Sequence, residues 1–189
     1  MLAAALALAT ACAGPGLNSE RIEQRYGSYG VELIEQGRDV RLSCLFSSHG
    51  EHQVCRTVAM VWFEHPVDPE LAEADRLIRG GASIGATFQR LGWHVDKANI
   101  DIGEFRLTSP VMGARMDIAV PSVLALHIYR FRAARDGRRL NYATIVELHH
   151  PDYLDRSDVE QLYRRLPDET LTVAELAAIR ARARAAIGE

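Results

Sequence analysis

The sequence predicts an α+β fold, with an antiparallel or mixed sheet built from two β-hairpins and helices packed on that sheet. Two hairpins stand out from the spacing of apolar residues, and each is followed by segments with helical periodicity. Capping-box patterns at residues 157–160 and 172–175 then open two further helices. Because both hairpins run into His-Pro and then a helix, at His65-Pro66 and His150-Pro151, the pattern is consistent with a pseudo-duplication.

Composition and charge indicate one globular domain. The chain has 189 residues and a net charge of −3, with charges of both signs dispersed along it. We assign residues 1–11 to a signal-like segment, residues 12–22 to a flexible spacer and residues 23–189 to a single α+β domain, a length that supports a core without metal or disulfides. The dispersed charge gives no broad basis for binding nucleic acid, so we expect no such partner.

The first hairpin carries two cysteines. Residues 40–48 face residues 53–63, and a two-residue turn at His49-Gly50 would place Cys44 directly opposite Cys55. Opposed residues in an antiparallel pair lie about 4.5–5.5 Å apart at Cα, which is within disulfide reach. In an oxidising compartment a Cys44–Cys55 disulfide is therefore expected, and two small buried residues in a sheet are the alternative.

Turn and cap patterns predict the other elements. Asp68-Pro69 begins a helix with Asp as N-cap and Pro at the first helical position, and Gly80-Gly81 ends it. Its expected apolar face consists of Leu71, Ala74, Leu77 and Ile78. Further expected elements are strands at 31–35, 57–63, 122–131 and 140–148, an extended segment at 93–105, and helices at 83–91, 158–165 and 173–187. Asp136-Gly137 is the turn of the second hairpin, and residues 108–120 predict no particular element.

The first twelve residues resemble a bacterial lipoprotein signal. They carry no charge, and Ala9-Thr10-Ala11-Cys12 resembles a lipobox, in which small residues precede the cysteine that takes the lipid. The apolar stretch is shorter than the about 20 residues of a membrane-spanning helix and suits an export signal. The resemblance implies lipidation at Cys12 and a membrane reached through a lipid anchor. The alternative is an Ala-rich N-terminus with an incidental cysteine.

The resemblance also implies a location. Ala13, rather than Asp, follows the cysteine. In a Gram-negative cell this implies an exported lipoprotein on the periplasmic face of the outer membrane.

One motif has the form of a catalytic serine site. Gly81-Ala82-Ser83-Ile84-Gly85 resembles the nucleophile elbow of α/β-hydrolases, where the serine stands between a strand and a helix. Residues 70–79 have helical periodicity instead, and a Ser83 N-cap between two helices explains the same sequence. Ser83 is therefore a candidate nucleophile only in the alternative function.

A second candidate cluster ends the second hairpin, at Glu147, His149, His150 and Asp152. Carboxylate and imidazole groups are used in metal sites and in acid–base catalysis. Side chains alternate along a strand, so Glu147 and His149 share one face and His150 takes the other.

The expected hairpin register argues against a metal ion in this cluster. It places Val146 opposite His127, so that His127 shares the face of His150. These two histidines would then lie roughly 13 Å apart, at about 3.3 Å per residue. We accordingly expect no metal.

The sequence leaves two functions open. The first is a non-catalytic lipoprotein domain of the bacterial envelope, with a binding or structural role, no cofactor, and an envelope protein or a small ligand as its partner. The second is a small periplasmic serine hydrolase using Ser83 with His149 or His150 and an acid such as Asp152. The local context of each catalytic motif favours the first.

Overall fold

Six strands form one antiparallel sheet in a computed structural model of the protein, which describes residues 16–189. The strands are β1 (Gly30–Gln36), β2 (Val40–His49), β3 (His52–Phe63), β4 (His94–Leu107), β5 (Ser122–Arg135) and β6 (Arg138–His149). Their order is β1-β2-β3-β6-β5-β4, so each half of the chain contributes three strands and β3 pairs with β6 at the centre. The predicted α+β class is confirmed, with the sheet antiparallel, and the strand expected at 31–35 and the extended segment expected at 93–105 each extend one hairpin.

Six α-helices accompany the sheet within the described residues. They are α1 (Asn18–Tyr26), α2 (Ala72–Arg79), α3 (Ile84–Arg90), α4 (Pro110–Met116), α5 (Arg156–Tyr163) and α6 (Val173–Ala186). None of them is long and apolar enough to cross a membrane. Helix α4 occupies the segment for which the sequence predicted no element. The Ser109 side chain caps it by accepting a hydrogen bond from the Met112 amide, and Pro110 stands in its first turn.

The helices cover both faces of the sheet. The face that carries Ile128, Val146 and Leu148 packs against α4 and α6, and we call it the back face. The opposite face carries Tyr129, Ile145 and Glu147, and we call it the front face. Helices α2 and α3 cover one part of the front face, and α1 and α5 cover another. Each face therefore has its own buried core.

The predicted spacer extends too far along the chain. Residues 18–22 lie in α1, where Asn18 and Ile22 are buried, and Leu17 before the helix is buried as well. Glu20 completes the cap by accepting a hydrogen bond from the Leu17 amide at 2.9 Å. The helix is part of the domain because Asn18 bonds to Thr57 on β3 and Ile22 packs against β5 and α5. Residues 1–15, with the predicted signal segment and Cys12, lie outside the described residues.

The observed register of the first hairpin differs from the predicted one, and a β-bulge contributes to the difference. The turn is at Gly50-Glu51, and the pairing shifts between Leu45 and Phe46. Cys44 therefore pairs with Val58 and is not directly opposite Cys55. The extra residue turns the Cys55 side chain to the back face, where the structure joins it to Cys44 in a disulfide with a Cα–Cα distance of 5.5 Å.

The observed register of the second hairpin also differs from the predicted one, because of a second β-bulge. The turn at Asp136-Gly137 is as predicted, but the pairing shifts between Phe131 and Arg132. His127 consequently pairs with Glu147, not with Val146. The expectation that His127 shares the face of His150 is wrong, because one inserted residue reverses which side chains face front.

Two helix predictions also need correction. Of the predicted apolar face, Leu71, Ala74 and Ile78 are buried within α2 and the 3₁₀ turn before it, whereas Leu77 is only half-buried. Helix α5 begins two residues earlier than predicted, since Asp155 is its N-cap and accepts a hydrogen bond from the Asp158 amide at 2.8 Å.

Candidate functional site

Polar side chains are buried together on the front face, beneath α1 and α5. We call this group the polar cluster, and its members are Asn18, Thr57, Lys97, Asn99, His127, Tyr129, Glu147, His149 and Tyr163. They come from four strands and from the two helices. Burying polar groups is unfavourable unless they find hydrogen-bond partners, so their contacts show what the site can do.

Glu147 is at the centre of the polar cluster. Its Oε1 accepts hydrogen bonds from Asn18 Nδ2 at 3.4 Å and from the Tyr129 hydroxyl at 3.3 Å. Within residues 16–189 its Oε2 has no hydrogen-bond partner, and it lies 3.8 Å from His149 Nε2. The predicted pair of Glu147 and His149 on one face is therefore present, at a separation longer than a hydrogen bond.

The two histidines of the polar cluster favour the neutral form. Burial lowers the pKa of His149 to about 4, although the charge of Glu147 opposes this, and His149 Nδ1 lies 3.1 Å from Thr57 Oγ1. Burial and the nearby Lys97 hold the pKa of His127 well below its usual range. His127 Nε2 lies 3.0 Å from Asn99 Oδ1. A base whose pKa is so far below neutral removes protons poorly at pH 7.

Lys97 is a buried amine that lies beside two aromatic rings and is attracted by Glu147. Its Nζ lies 4.6 Å from the ring centroid of Tyr129 and 5.5 Å from that of Tyr163, in cation–π geometry. Burial lowers the pKa of Lys97 to about 8, and attraction to Glu147 opposes that decrease. The amine therefore loses its proton more readily than an exposed lysine does.

A cavity of about 70 Å³ adjoins the polar cluster, and we call it the front cavity. The first turns of α1 and α3 form part of its wall, and the central strands form its floor. Its apolar lining consists of Leu17, Val31, Leu45, Ala59, Val61, Ile84, Phe131 and Ile145. Its polar lining includes Tyr29, Arg41, Ser43, Ser83, Lys97 and Glu147. Apolar walls with a few convergent polar groups are typical of small-molecule sites.

Arg41 is fixed in the wall of the front cavity. Its Nη1 donates hydrogen bonds to the backbone oxygens of Ile78 at 3.2 Å and Ala82 at 2.9 Å. Its Nε has no hydrogen-bond partner, and the side chain forms no ion pair with a carboxylate in residues 16–189. Burial lowers the pKa of the guanidinium, while the Tyr29 and Tyr142 phenols oppose that change.

The structure separates the residues of the predicted hydrolase site. Ser83 is at the N-cap position of α3, but its side chain makes no capping hydrogen bond and lies beside Tyr29 in the front cavity. The described residues that line this cavity include no histidine. His150 Nδ1 instead accepts a hydrogen bond from the Asp152 amide at 3.0 Å. Ser83 as a nucleophile stays a prediction, and no histidine accompanies it among the described lining residues.

The sequence analysis expected no metal ion at the cluster of Glu147, His149, His150 and Asp152. Within residues 16–189, no group of three or more His, Cys, Asp and Glu side chains is arranged to hold a metal ion.

Arg41 and Lys97 were missing from the sequence-based candidates. The signal for Arg41 was a charged residue between two apolar ones, Val40 and Leu42, within a strand.

Comparisons with known proteins give no family. No family model matches the chain, and no curated protein is significantly similar to it. Among solved structures, a protein described as a regulator from Escherichia coli CFT073 is similar at 11% identity, over 64% of this chain and 95% of that one, with a TM-score of 0.42. A GntR-family transcriptional regulator from Bacillus cereus is similar at 13% identity, over 67% and 94%, with a TM-score of 0.40. Similarity at this level carries no argument about function.

Proposed function

We propose that this chain is a small-ligand-binding, non-catalytic domain of a bacterial envelope lipoprotein, with the front cavity as its ligand site. The observation that carries the proposal is the lining of this cavity. Three different strands, β2, β4 and β6, bring Arg41, Lys97 and Glu147 to an otherwise mainly apolar wall. Charged side chains are rarely buried without a partner, and a ligand site is a frequent reason for such burial.

The partners of the histidines support a binding role over catalysis. His149 and His127 contact Thr57 and Asn99, so both imidazoles are held within the polar cluster and not in the cavity wall. The described lining of the cavity has fixed donors and acceptors and no imidazole positioned to move a proton, which suits recognition.

Two features support the envelope part of the proposal. The lipobox-like residues around Cys12 imply an anchor in a membrane. The Cys44–Cys55 disulfide suits an exported protein, because disulfides persist in oxidising compartments and are rare in the cytosol. The anchor would hold the binding domain at the membrane surface, where an envelope protein is a second candidate partner.

Filling the cavity tests the ligand site. Ser43 lies in the wall on β2, and a Ser43→Leu substitution would occupy the space in which a ligand sits. A thermal-shift screen of small metabolites should give compounds that raise the melting temperature of the wild type. The same compounds should leave the melting temperature of Ser43→Leu unchanged.

The matched control is Ser48→Leu, on the same strand but outside the cavity wall. This variant should respond to the compounds as the wild type does. Cooperative melting of Ser43→Leu confirms that it folds, and Ala59→Val provides a smaller change at the same wall if it does not. Equal shifts of the melting temperature in the wild type and in Ser43→Leu, or a screen without any shift, would reject the front cavity as a ligand site.

A further inference from the structure

The front cavity contains more positive than negative side chains. Arg41 and Lys97 line it as cations, and Glu147 is the only carboxylate among the described lining residues. The charges of the site are therefore not balanced by the protein alone.

The excess charge is located at Arg41. Lys97 interacts with Glu147, so these two charges offset each other. Arg41 is 2% exposed and has two backbone acceptors on Nη1, but no carboxylate pairs with it and its Nε has no partner within residues 16–189. A buried guanidinium without a counter-charge is costly, and the contacts to Ile78 and Ala82 hold it in place despite that cost.

The shape of the guanidinium restricts the ligand group. Arginine presents N–H donors in a planar fork that matches the oxygens of a carboxylate or a phosphate, and Glu147 in the same lining favours the singly charged carboxylate over a doubly charged phosphate group. The remaining wall near the floor of the cavity is apolar, with Val61, Phe131 and Ile145. An inorganic anion would leave that wall without a contact, whereas an organic anion would cover it.

We infer that the front cavity binds a small organic carboxylate, with its charged group at Arg41 and its apolar body against Val61, Phe131 and Ile145. This inference rests on the proposed function and names the class of its ligand. Lys97 adds a second cation to the lining, and Glu147 disfavours ligands that carry a second negative charge near it.

The probes are pairs of compounds that differ only in charge. Benzoate and benzamide have the same shape, and so do hexanoate and hexanamide. Binding to the purified full chain is measured by calorimetry and by saturation-transfer NMR. The wild type should bind each carboxylate at least about tenfold more tightly than its amide, the effect expected of one charge-assisted hydrogen-bonded pair.

Variants locate the charge preference. Arg41→Gln should remove the preference for carboxylate, and Arg41→Lys should keep only part of it, because the ammonium lacks the planar fork. Arg38→Gln is the matched control, since Arg38 is a solvent-exposed arginine just before β2. It should leave the preference unchanged, and Ser43→Leu should abolish binding of all four probes.

Each outcome bears on the inference. Amides that bind as tightly as carboxylates would overturn it and leave the ligand site standing, as would an equal loss in Arg38→Gln and Arg41→Gln. If no probe binds, the compounds found by the thermal-shift screen decide. Anionic compounds support the inference, neutral or cationic compounds overturn it, and a screen without any shift overturns the proposed function as well. If Arg41→Gln does not fold, Arg41→Lys and Lys97→Met replace it, and an unchanged preference in both overturns the inference.

Discussion

At the scale of single residues, the front face shows how burial changes the chemistry of ordinary side chains. Glu147 and His149 were recognisable from the sequence as a carboxylate and an imidazole on one face of a strand. Their burial among Thr57, Tyr129 and Asn18 makes them members of a hydrogen-bonded group. A buried polar group of this kind fixes positions within the core and so shapes the wall of the neighbouring cavity.

The buried His149 predicts how stability depends on pH. Its pKa is about 4 in the folded protein, against an ordinary value of 6.5 for a solvated histidine, so the unfolded state takes up a proton first as the pH falls. The free energy of unfolding should therefore decrease between about pH 6.5 and pH 4, by at most about 1.4 kcal/mol per pH unit from this residue. Urea unfolding at pH 7 and pH 5 measures the decrease.

A His149→Gln substitution should reduce that decrease by up to about 2 kcal/mol, because glutamine does not titrate. The solvent-exposed His49 provides the control, as His49→Gln should leave the difference between pH 7 and pH 5 unchanged. An identical difference for His149→Gln and the wild type would show that the imidazole is not buried in neutral form.

At the scale of elements, the positions of most helices and strands could be predicted from the sequence. The face of the sheet to which each strand side chain points could not. Thr172 caps α6 as predicted, with Glu175 completing the capping box, because that pattern is local in sequence. The two bulges had no such local signal. One extra residue shifts the pairing in each hairpin, Arg56 opposite Leu45/Phe46 and Tyr142 opposite Phe131/Arg132. The second of these brought His127 opposite Glu147.

Helix α1 provides a test at this scale, because the sequence placed residues 18–22 in a spacer. Ile22 is fully buried against α5 and the sheet. An Ile22→Ala substitution should lower the free energy of unfolding by about 2–5 kcal/mol, since it removes buried methyl groups and leaves a cavity. Denaturant unfolding measures the change.

The exposed neighbour Glu23 serves as the control for this experiment. Glu23→Ala should change the free energy of unfolding by less than about 0.5 kcal/mol. Equal stabilities of the wild type and Ile22→Ala would show that α1 does not pack on the domain and that the longer spacer is correct.

At the scale of the whole molecule, the proposal joins an anchor at one end of the chain to a binding domain. If Cys12 carries the lipid, cells grown with a labelled fatty acid should incorporate the label into the wild type and not into a Cys12→Ala variant. The other two cysteines form the disulfide, so they do not offer an alternative thiol. The measurement is fluorescence or radioactivity of the purified protein after gel electrophoresis.

A Ser19→Ala variant controls for expression and processing, since it changes a nearby residue outside the lipobox-like segment. It should be labelled as the wild type is. Label that persists in Cys12→Ala would remove the lipoprotein part of the proposal, while the ligand site in the front cavity would be unaffected.

The sequence by itself determined the α+β class, the places of the two hairpins and the cap of α6, because periodicity, turn residues and caps act between residues close along the chain. It also supplied the lipobox-like segment and the pair of cysteines. Only the tertiary structure decided the register at the bulges and the inclusion of residues 18–22 in the domain. It also decided the meeting of Arg41, Lys97 and Glu147 around one cavity. These depend on pairing between distant strands, whose energy comes from side chains that the linear sequence keeps apart.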